Sequence, residues 1–310
     1  MIYHIVRRFA SSQTKSVLMA LRRSTGLPFG VCKKVLDEVG GNLEKAEELI
    51  AVRARSEGEL KSRALISRKV SYGLLGISLR NDRSLGIIKA LCETDFVAKT
   101  PEFRKFVCKS AEAFISGHEY ESDTFTYFSD IESVSEEAKT FRYETLSLLG
   151  ENIKFGGGII FNAQSNAQLA VSTHPKNNEK FNNSLWGNFL GVVEYQCTAK
   201  SNAIELIAQD LCSHVIVNSP TSLHRKEALQ ESSDELTEDS QQNESSQENV
   251  DEDEDDEDEI FIESSSSLLD QKSTRNPSQT IRELCENSGI EIKRFLRMDM
   301  SSDFNTTKLC

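Results

Sequence analysis

Leu85-Gly86-Ile87-Ile88-Lys89-Ala90-Leu91-Cys92-Glu93-Thr94-Asp95-Phe96-Val97-Ala98-Lys99-Thr100-Pro101 carries an apolar run into a short polar connection and then into a helix start. Leu85 to Cys92 has the length of a strand. The run Leu74 to Leu79 precedes it, across the turn-forming Arg80-Asn81-Asp82-Arg83, so the two read as a hairpin. Thr100 is placed to cap a helix and Pro101 to take its first position, where a missing amide proton is no loss. Phe103, Phe106, Val107, Ser110, Ala111 and Phe114 then follow on one helical face. Between strand and helix, Phe96 is either tucked into the local core, as most phenylalanines are, or presented to a partner.

Downstream, a helix is expected from Glu136 to Leu149, stopping at Gly150, and strands over Lys154 to Phe161 and Phe189 to Gln196. A loop holding His174, Asn177, Asn178, Asn182 and Asn183 lies between these strands, and a helix follows from Asn202 to Val215. After an acidic stretch, a helix near Thr280 to Glu286 and an alternating strand from Ile290 to Met298 return to the core. Strands and helices in this order give an α+β fold, read as antiparallel sheets with flanking helices.

Upstream lie three short helical patterns. Val17, Leu18 and Leu21 share a face before Thr25-Gly26; Pro28 opens a second pattern with Phe29, Cys32, Val35, Leu36 and Val39; Gly40-Gly41 ends it. Asn42 caps a third, with Leu43, Ala46, Leu49 and Ile50 on its apolar side. Such a bundle is near the lower size limit for independent folding, so its exposed apolar surface is expected to bind something. The expected boundaries are 13–55 for this bundle, 56–71 for a linker, whose polar and basic residues from about Arg53 to Lys69 equally suit a helical extension, and 72–225 for the core, in subdomains 72–135 and 136–225. An acidic insert at 226–267, a returning element at 268–300 and a tail at 301–310 complete the chain.

The 310 residues include 36 Lys and Arg against 49 Asp and Glu, a net charge of −13. Glu231 to Glu263 alone holds 17 acidic residues and no Lys or Arg, which leaves the remainder at +4. That insert lacks the apolar area to offset the cost of ordering a backbone and is expected to be disordered. No acidic residue precedes Asp37, whereas Arg7 and Arg8 are followed by Phe9-Ala10-Ser11-Ser12, so residues 1–12 read as a mitochondrial presequence. No apolar run approaches the ~20 residues of a membrane span.

The seven cysteines are scattered and never spaced as Cys-x-x-Cys, which argues against a disulfide scaffold or zinc site. The five histidines lack metal-ligand spacing, and no nucleophile elbow accompanies them, so neither catalytic chemistry nor a cofactor is expected. Gly156-Gly157-Gly158 precedes Ile159-Ile160-Phe161 without the Lys and Ser or Thr of a phosphate loop, and reads as a strand bend.

Thr94-Asp95-Phe96-Val97-Ala98-Lys99 is similar to the signature of translation elongation factor Ts. Leu21 to Gly26 with Cys32-Lys33-Lys34-Val35-Leu36 resembles that family's N-terminal ubiquitin-associated-like domain, and Gly150-Glu151-Asn152-Ile153 its central Gly-Glu-Asn motif. Ser213-His214-Val215, Ser219-Pro220, Leu268-Leu269, Pro277 to Ile281 and Phe295-Leu296-Arg297 resemble later family segments, in the family's order. The presequence and the Asn-rich loop look more like the animal mitochondrial branch. The resemblance implies a guanine-nucleotide exchange factor for elongation factor Tu in the mitochondrial matrix, acting without covalent chemistry. Phe96 would be an apolar wedge into the nucleotide domain of Tu, disturbing its magnesium site. Asp95 would be a polar or capping partner, and Thr94 and Val97 would shape the turn.

Secondary Tu contacts are implied at Arg22, Phe29, Gly30 and His174. Phe29-Gly30 stands where family members often carry two methionines, and Phe29 can equally be bundle core. Pro175 replaces a usual glycine beside His174. The acidic run replaces a bacterial helical hairpin, and Met300-Ser301-Ser302 a usual Gly-Glu-Gly. The alternative function is a ubiquitin-binding or acidic-tail adaptor.

Overall fold

A computed structural model describes residues 15–176, 181, 183–198, 201–224 and 267–310. The expected presequence and all of the acidic insert except Ser267 lie outside the described residues. The architecture is a three-helix bundle joined to a core of mixed helix and antiparallel sheet.

The bundle consists of α1 (residues 15–25), α2 (Phe29–Glu38) and α3 (Leu43–Leu65). Pro28 sits at the cap of α2, one position before the first helical residue. Gly40 and Gly41 take left-handed backbone with φ of +67° and +83°, and Asn42 then accepts from the Lys45 amide at 3.0 Å to start α3. Leu18, Leu21, Cys32, Val35, Leu36 and Ala46 form the bundle core.

Of the two readings of the segment after residue 55, linker or helical extension, the structure has the extension: α3 continues to Leu65. Its second half finds a packing surface on another helix, α7 (Glu136–Leu149). Gly58 permits the approach: a Cβ there would stand 1.9 Å from the Tyr143 carbonyl oxygen. Ser62 accepts from Arg142 at 3.0 Å beside it.

The core opens on β1 (Tyr72–Arg80) and β2 (Ser84–Cys92), paired from Tyr72 with Cys92 to Arg80 with Ser84. Asn81 and Asp82 both have φ of 53°, the conformation that a tight hairpin turn requires. The short helix α4 (Asp95–Ala98) and α5 (Pro101–Ser116) follow, then β3 (Thr124–Phe128), a short α6 (Ile131–Val134), α7 and β4 (Ile153–Asn162). Next come β5 (Gln168–His174), β6 (Ser184–Gly187), β7 (Phe189–Cys197) and α8 (Asn202–Asn218); α9 (Ile281–Ser288) and β8 (Ile290–Asp299) complete the core.

One sheet has the order β3-β4-β2-β1-β6 and the other β5-β7-β8, all pairings antiparallel. The expected subdomain boundary at 135 and 136 does not follow these sheets, since β4 and β6 complete the first one. Leu75, Ile77, Leu85, Ile87, Ile159 and Phe161 of the first sheet meet Leu190, Val192, Leu296 and Met298 of the second in a shared core. Helix α5 covers the outer face of β1 and β2, and α8 the outer face of β5 and β7. Both faces of the hairpin are therefore buried, which is why β2 reads as a nearly continuous apolar run. The glycine run bends β4 as expected: the β2 to β4 register shifts there, and Gly157 has φ of +106°.

Three strands depart from the expectation. β3, β5 and β6 arise where a loop or no element was anticipated, and His174 closes β5 instead of lying in a loop. Residues 301–310 are not a free tail. Phe304 is 2% exposed in the shared core, Cys310 exchanges two backbone bonds with Phe295, and Lys89 donates to the Ser302 carbonyl at 2.8 Å.

Candidate functional site

The polar connection after β2 is a one-turn helix, not a loop. Thr94 is its cap: extended at φ −124°, it accepts from the Val97 amide at 3.3 Å. The turn closes with bonds from Ala98 to Thr94 and from Lys99 to Phe96 carbonyls, at 3.3 and 3.2 Å. Thr100 then caps α5, accepting from the Phe103 amide at 3.2 Å while donating to the Val97 carbonyl at 2.8 Å.

One turn has two sides, and the apolar residues divide between them. Val97 and Ala98 are buried with Leu74, Cys92, Phe103 and Phe106, and Leu65 from the end of α3 packs on the same cluster. Phe96 faces the other way and is 79% exposed, the most exposed of the large hydrophobic side chains among the described residues. Burial was the ordinary expectation for a phenylalanine here; the cap and the two small buried neighbours turn the ring outward.

Asp95 is not the cap. Its carboxylate takes a hydrogen bond from Lys99 at 2.7 Å, which holds it below the usual carboxylate range. Cys92, beneath the turn, donates from sulfur to the Thr94 carbonyl at 3.2 Å. Burial, then the Glu151 charge, pushes this thiol up to about 12, so it keeps its proton for that bond.

The Gly-Glu-Asn segment meets this turn from across the sheet. Gly150 ends α7 in left-handed backbone at φ 74°, redirecting the chain. Glu151 accepts from the Thr94 amide at 3.0 Å and from its hydroxyl at 2.6 Å. Asn152 donates its amide to Glu93 at 2.6 Å and its side chain to the Arg68 carbonyl at 2.9 Å. Arg68 lies 3.5 Å from Glu93. None of these partners was expected from the sequence, although Glu151 and Asn152 stood in a recognised motif. Their role is contact across 57 positions for Glu151 and across 59 and 84 for Asn152, which no local pattern reveals.

The remaining expected contacts lie elsewhere. Arg22, Phe29 and Gly30 are exposed around the α1–α2 corner. Phe29, at 48% exposure, is not bundle core, and a side chain at Gly30 would meet no atom within 4 Å. His174 is exposed at the end of β5, paired with Phe189, whose ring centroid is 6.2 Å from its own. His214, read from the sequence as a structural helix residue and not as a contact, is buried on α8, bonded through Nε2 to Gln271 at 2.8 Å and through Nδ1 to Asn218 at 3.1 Å. Four candidates thus cluster on one turn, three share the bundle corner, and His174 stands apart.

A family model described as Elongation factor TS matches residues 93–302, more than half of the chain. The chain belongs to the elongation factor Ts family. The match begins at Glu93, at the foot of the Phe96 turn, and takes in the Glu151 and Asn152 brace. The chain is 28% identical over 306 residues to "Elongation factor Ts, mitochondrial" of Brugia malayi, covering 94% of this chain and 89% of that protein. Against the protein of that name from Caenorhabditis elegans it is 28% identical over 304 residues, covering 94% and 92%. A bacterial relative, "Elongation factor Ts" of Nitrosomonas eutropha, is 26% identical over 290 residues, covering 91% and 89%. Membership places the chain among translation elongation factors.

Proposed function

We propose that this elongation factor Ts family member is a guanine-nucleotide exchange factor for elongation factor Tu, and that Phe96 is the group it inserts into the nucleotide domain of Tu. The observation that carries this reading is a phenyl ring 79% exposed on a turn that is capped and braced from the opposite side. Water contact makes the free ring costly, and burial in a partner recovers ~1.5 to 3 kcal/mol.

Exchange then follows from linkage, without covalent chemistry in this chain. A factor that binds empty Tu better than nucleotide-bound Tu weakens nucleotide binding by the same coupling free energy. In this reading the wedge lies beside the magnesium ion of Tu; displacing that cation unscreens the phosphates and speeds their departure. Thr94 and Val97 fix the turn, and Asp95 offers a charge next to the ring. Arg22, Phe29, Gly30 and His174 supply secondary contacts with Tu. The mitochondrial matrix is the proposed compartment, supported by the names of the nematode relatives and by the acid-free N-terminus.

The test is release of labelled GDP from purified mitochondrial Tu, with no factor, with the wild-type chain and with Phe96→Ala. Acceleration by wild type and its loss in the variant are expected. An unchanged release rate with wild type overturns the exchange reading. Full activity of Phe96→Ala overturns only the wedge.

A further inference from the structure

We infer that Glu151 is a positioning residue for Phe96, acting through Thr94; this rests on the reading that Phe96 enters Tu. The Thr94 hydroxyl has one proton, and the geometry spends it on Glu151 Oε1 at 2.6 Å. That choice leaves an oxygen lone pair for the Val97 amide at 3.3 Å, the bond that closes the turn bearing Phe96. The other carboxylate oxygen takes the Thr94 amide at 3.0 Å, so the residue that starts the turn is held at two points by one charged group. On its flanks, Glu93 accepts from Asn152 at 2.6 Å and Asn152 donates to Arg68 at 2.9 Å. The Phe96 ring itself is exposed and gains no packing of its own, so its aim follows the backbone of the turn that these bonds start.

The consequence is a split between affinity and rate. Loosening the cap lowers the fraction of molecules whose ring is correctly aimed, and the apparent affinity for Tu falls by that fraction. Once bound, the ring occupies the same place and the maximal release rate stands.

The experiment measures GDP release from Tu against concentration of the full chain, for wild type, Glu151→Gln, Thr94→Val, Thr94→Ser and Phe96→Ala, and for Glu151→Gln and Thr94→Val each combined with Phe96→Ala. Glu151→Gln presents an amide hydrogen to one of the two Thr94 donors. It is expected to raise the half-saturating concentration about ten-fold, the scale of one charge-assisted hydrogen bond, with the maximal rate kept. Thr94→Val should do the same and Thr94→Ser should restore wild-type behaviour. Neither Glu151→Gln nor Thr94→Val should add to the loss in Phe96→Ala. In the free protein, amide exchange at Val97 should quicken in Glu151→Gln and Thr94→Val. Wild-type half-saturation in both variants overturns the inference, as does a penalty that multiplies with that of Phe96→Ala. If wild type does not accelerate release at all, it is the exchange reading that fails. Amide exchange still tests the brace in that case, and unchanged Val97 exchange in both variants overturns it.

Discussion

Replacing Gly58 by alanine sets two physical effects against each other with opposite signs. In an exposed helix interior the change stabilises by ~1 kcal/mol, because glycine has the more to lose on ordering. In α3 the added Cβ would stand 1.9, 2.5 and 2.9 Å from the carbonyl oxygen, carbonyl carbon and Cα of Tyr143, all under the 3.0 Å that real Cβ atoms keep. These are backbone atoms of α7, so no rotamer relieves the overlap, and α3 must retreat by about 1 Å. The retreat loosens the Ser62 to Arg142 bond of 3.0 Å and the Lys61 to Ser147 bond of 3.2 Å along the same seam. Overpacking costs ~1 to 3 kcal/mol, and a backbone clash belongs at the upper end. Net of the propensity gain, Gly58→Ala should destabilise by about 2 kcal/mol. Thermal melting should fall by roughly 4 to 8 °C, at ~2 to 4 °C per kcal/mol. Amide exchange should quicken first in the second half of α3. A melting temperature equal to or above wild type would refute the close approach, since propensity alone would then govern the site.

Phe96 and Phe103 form a contrasting pair. Phe103→Ala removes a fully buried ring beneath the turn and should cost ~3 to 5 kcal/mol in urea unfolding, whereas Phe96→Ala should leave the midpoint unchanged. For His214, burial lowers the imidazole below its ordinary 6.5, against the raising effect of Gln271, so the fold holds the neutral ring. The unfolded chain then binds more protons just below pH 6.5, and stability present above that value is lost as pH falls toward the depressed native value. Urea midpoints should therefore drop more steeply below pH 6.5 in wild type than in His214→Asn, and parallel slopes would count against this account.

How much could be read in advance depended on where the information lay. The hairpin, α5, α7 and β8 were legible because each has local punctuation: Asn81-Asp82, Thr100-Pro101, Gly150 and Gly289. β3 carried a usable signal in Thr124-Phe125-Thr126-Tyr127-Phe128, whose alternating Phe125 and Tyr127 pack into the shared core. β5 did not alternate. Ser172 and Thr173 are both buried, and Ser172 bonds Ser213 of α8 at 3.0 Å, a tertiary demand that overrides the period of a half-exposed strand. The candidate site divided in the same way. Thr94, Asp95, Phe96 and Val97 stood out as candidates by their run of residues, but the bonds that Glu151 makes to Thr94 and the close approach of Gly58 to Tyr143 did not. Both are long-range contacts.

The last strand has a consequence for the order in which the chain can fold. Every strand of the five-stranded sheet has been made once Gly187 leaves the ribosome or a translocation pore. The three-stranded sheet must wait for β8, whose Arg294 pairs with Glu194 of β7 from 100 positions away. Until then β7 presents an unpaired edge that could capture another extended segment. The wait is not expensive in closure entropy, which grows only with the logarithm of the intervening length, so sequence between α8 and β8 can lengthen at little cost to stability. It is expensive in time, because non-local pairing slows folding. Newly emerged chains therefore pass through a stage with one sheet formed and the other open, the stage at which a chaperone would be most needed.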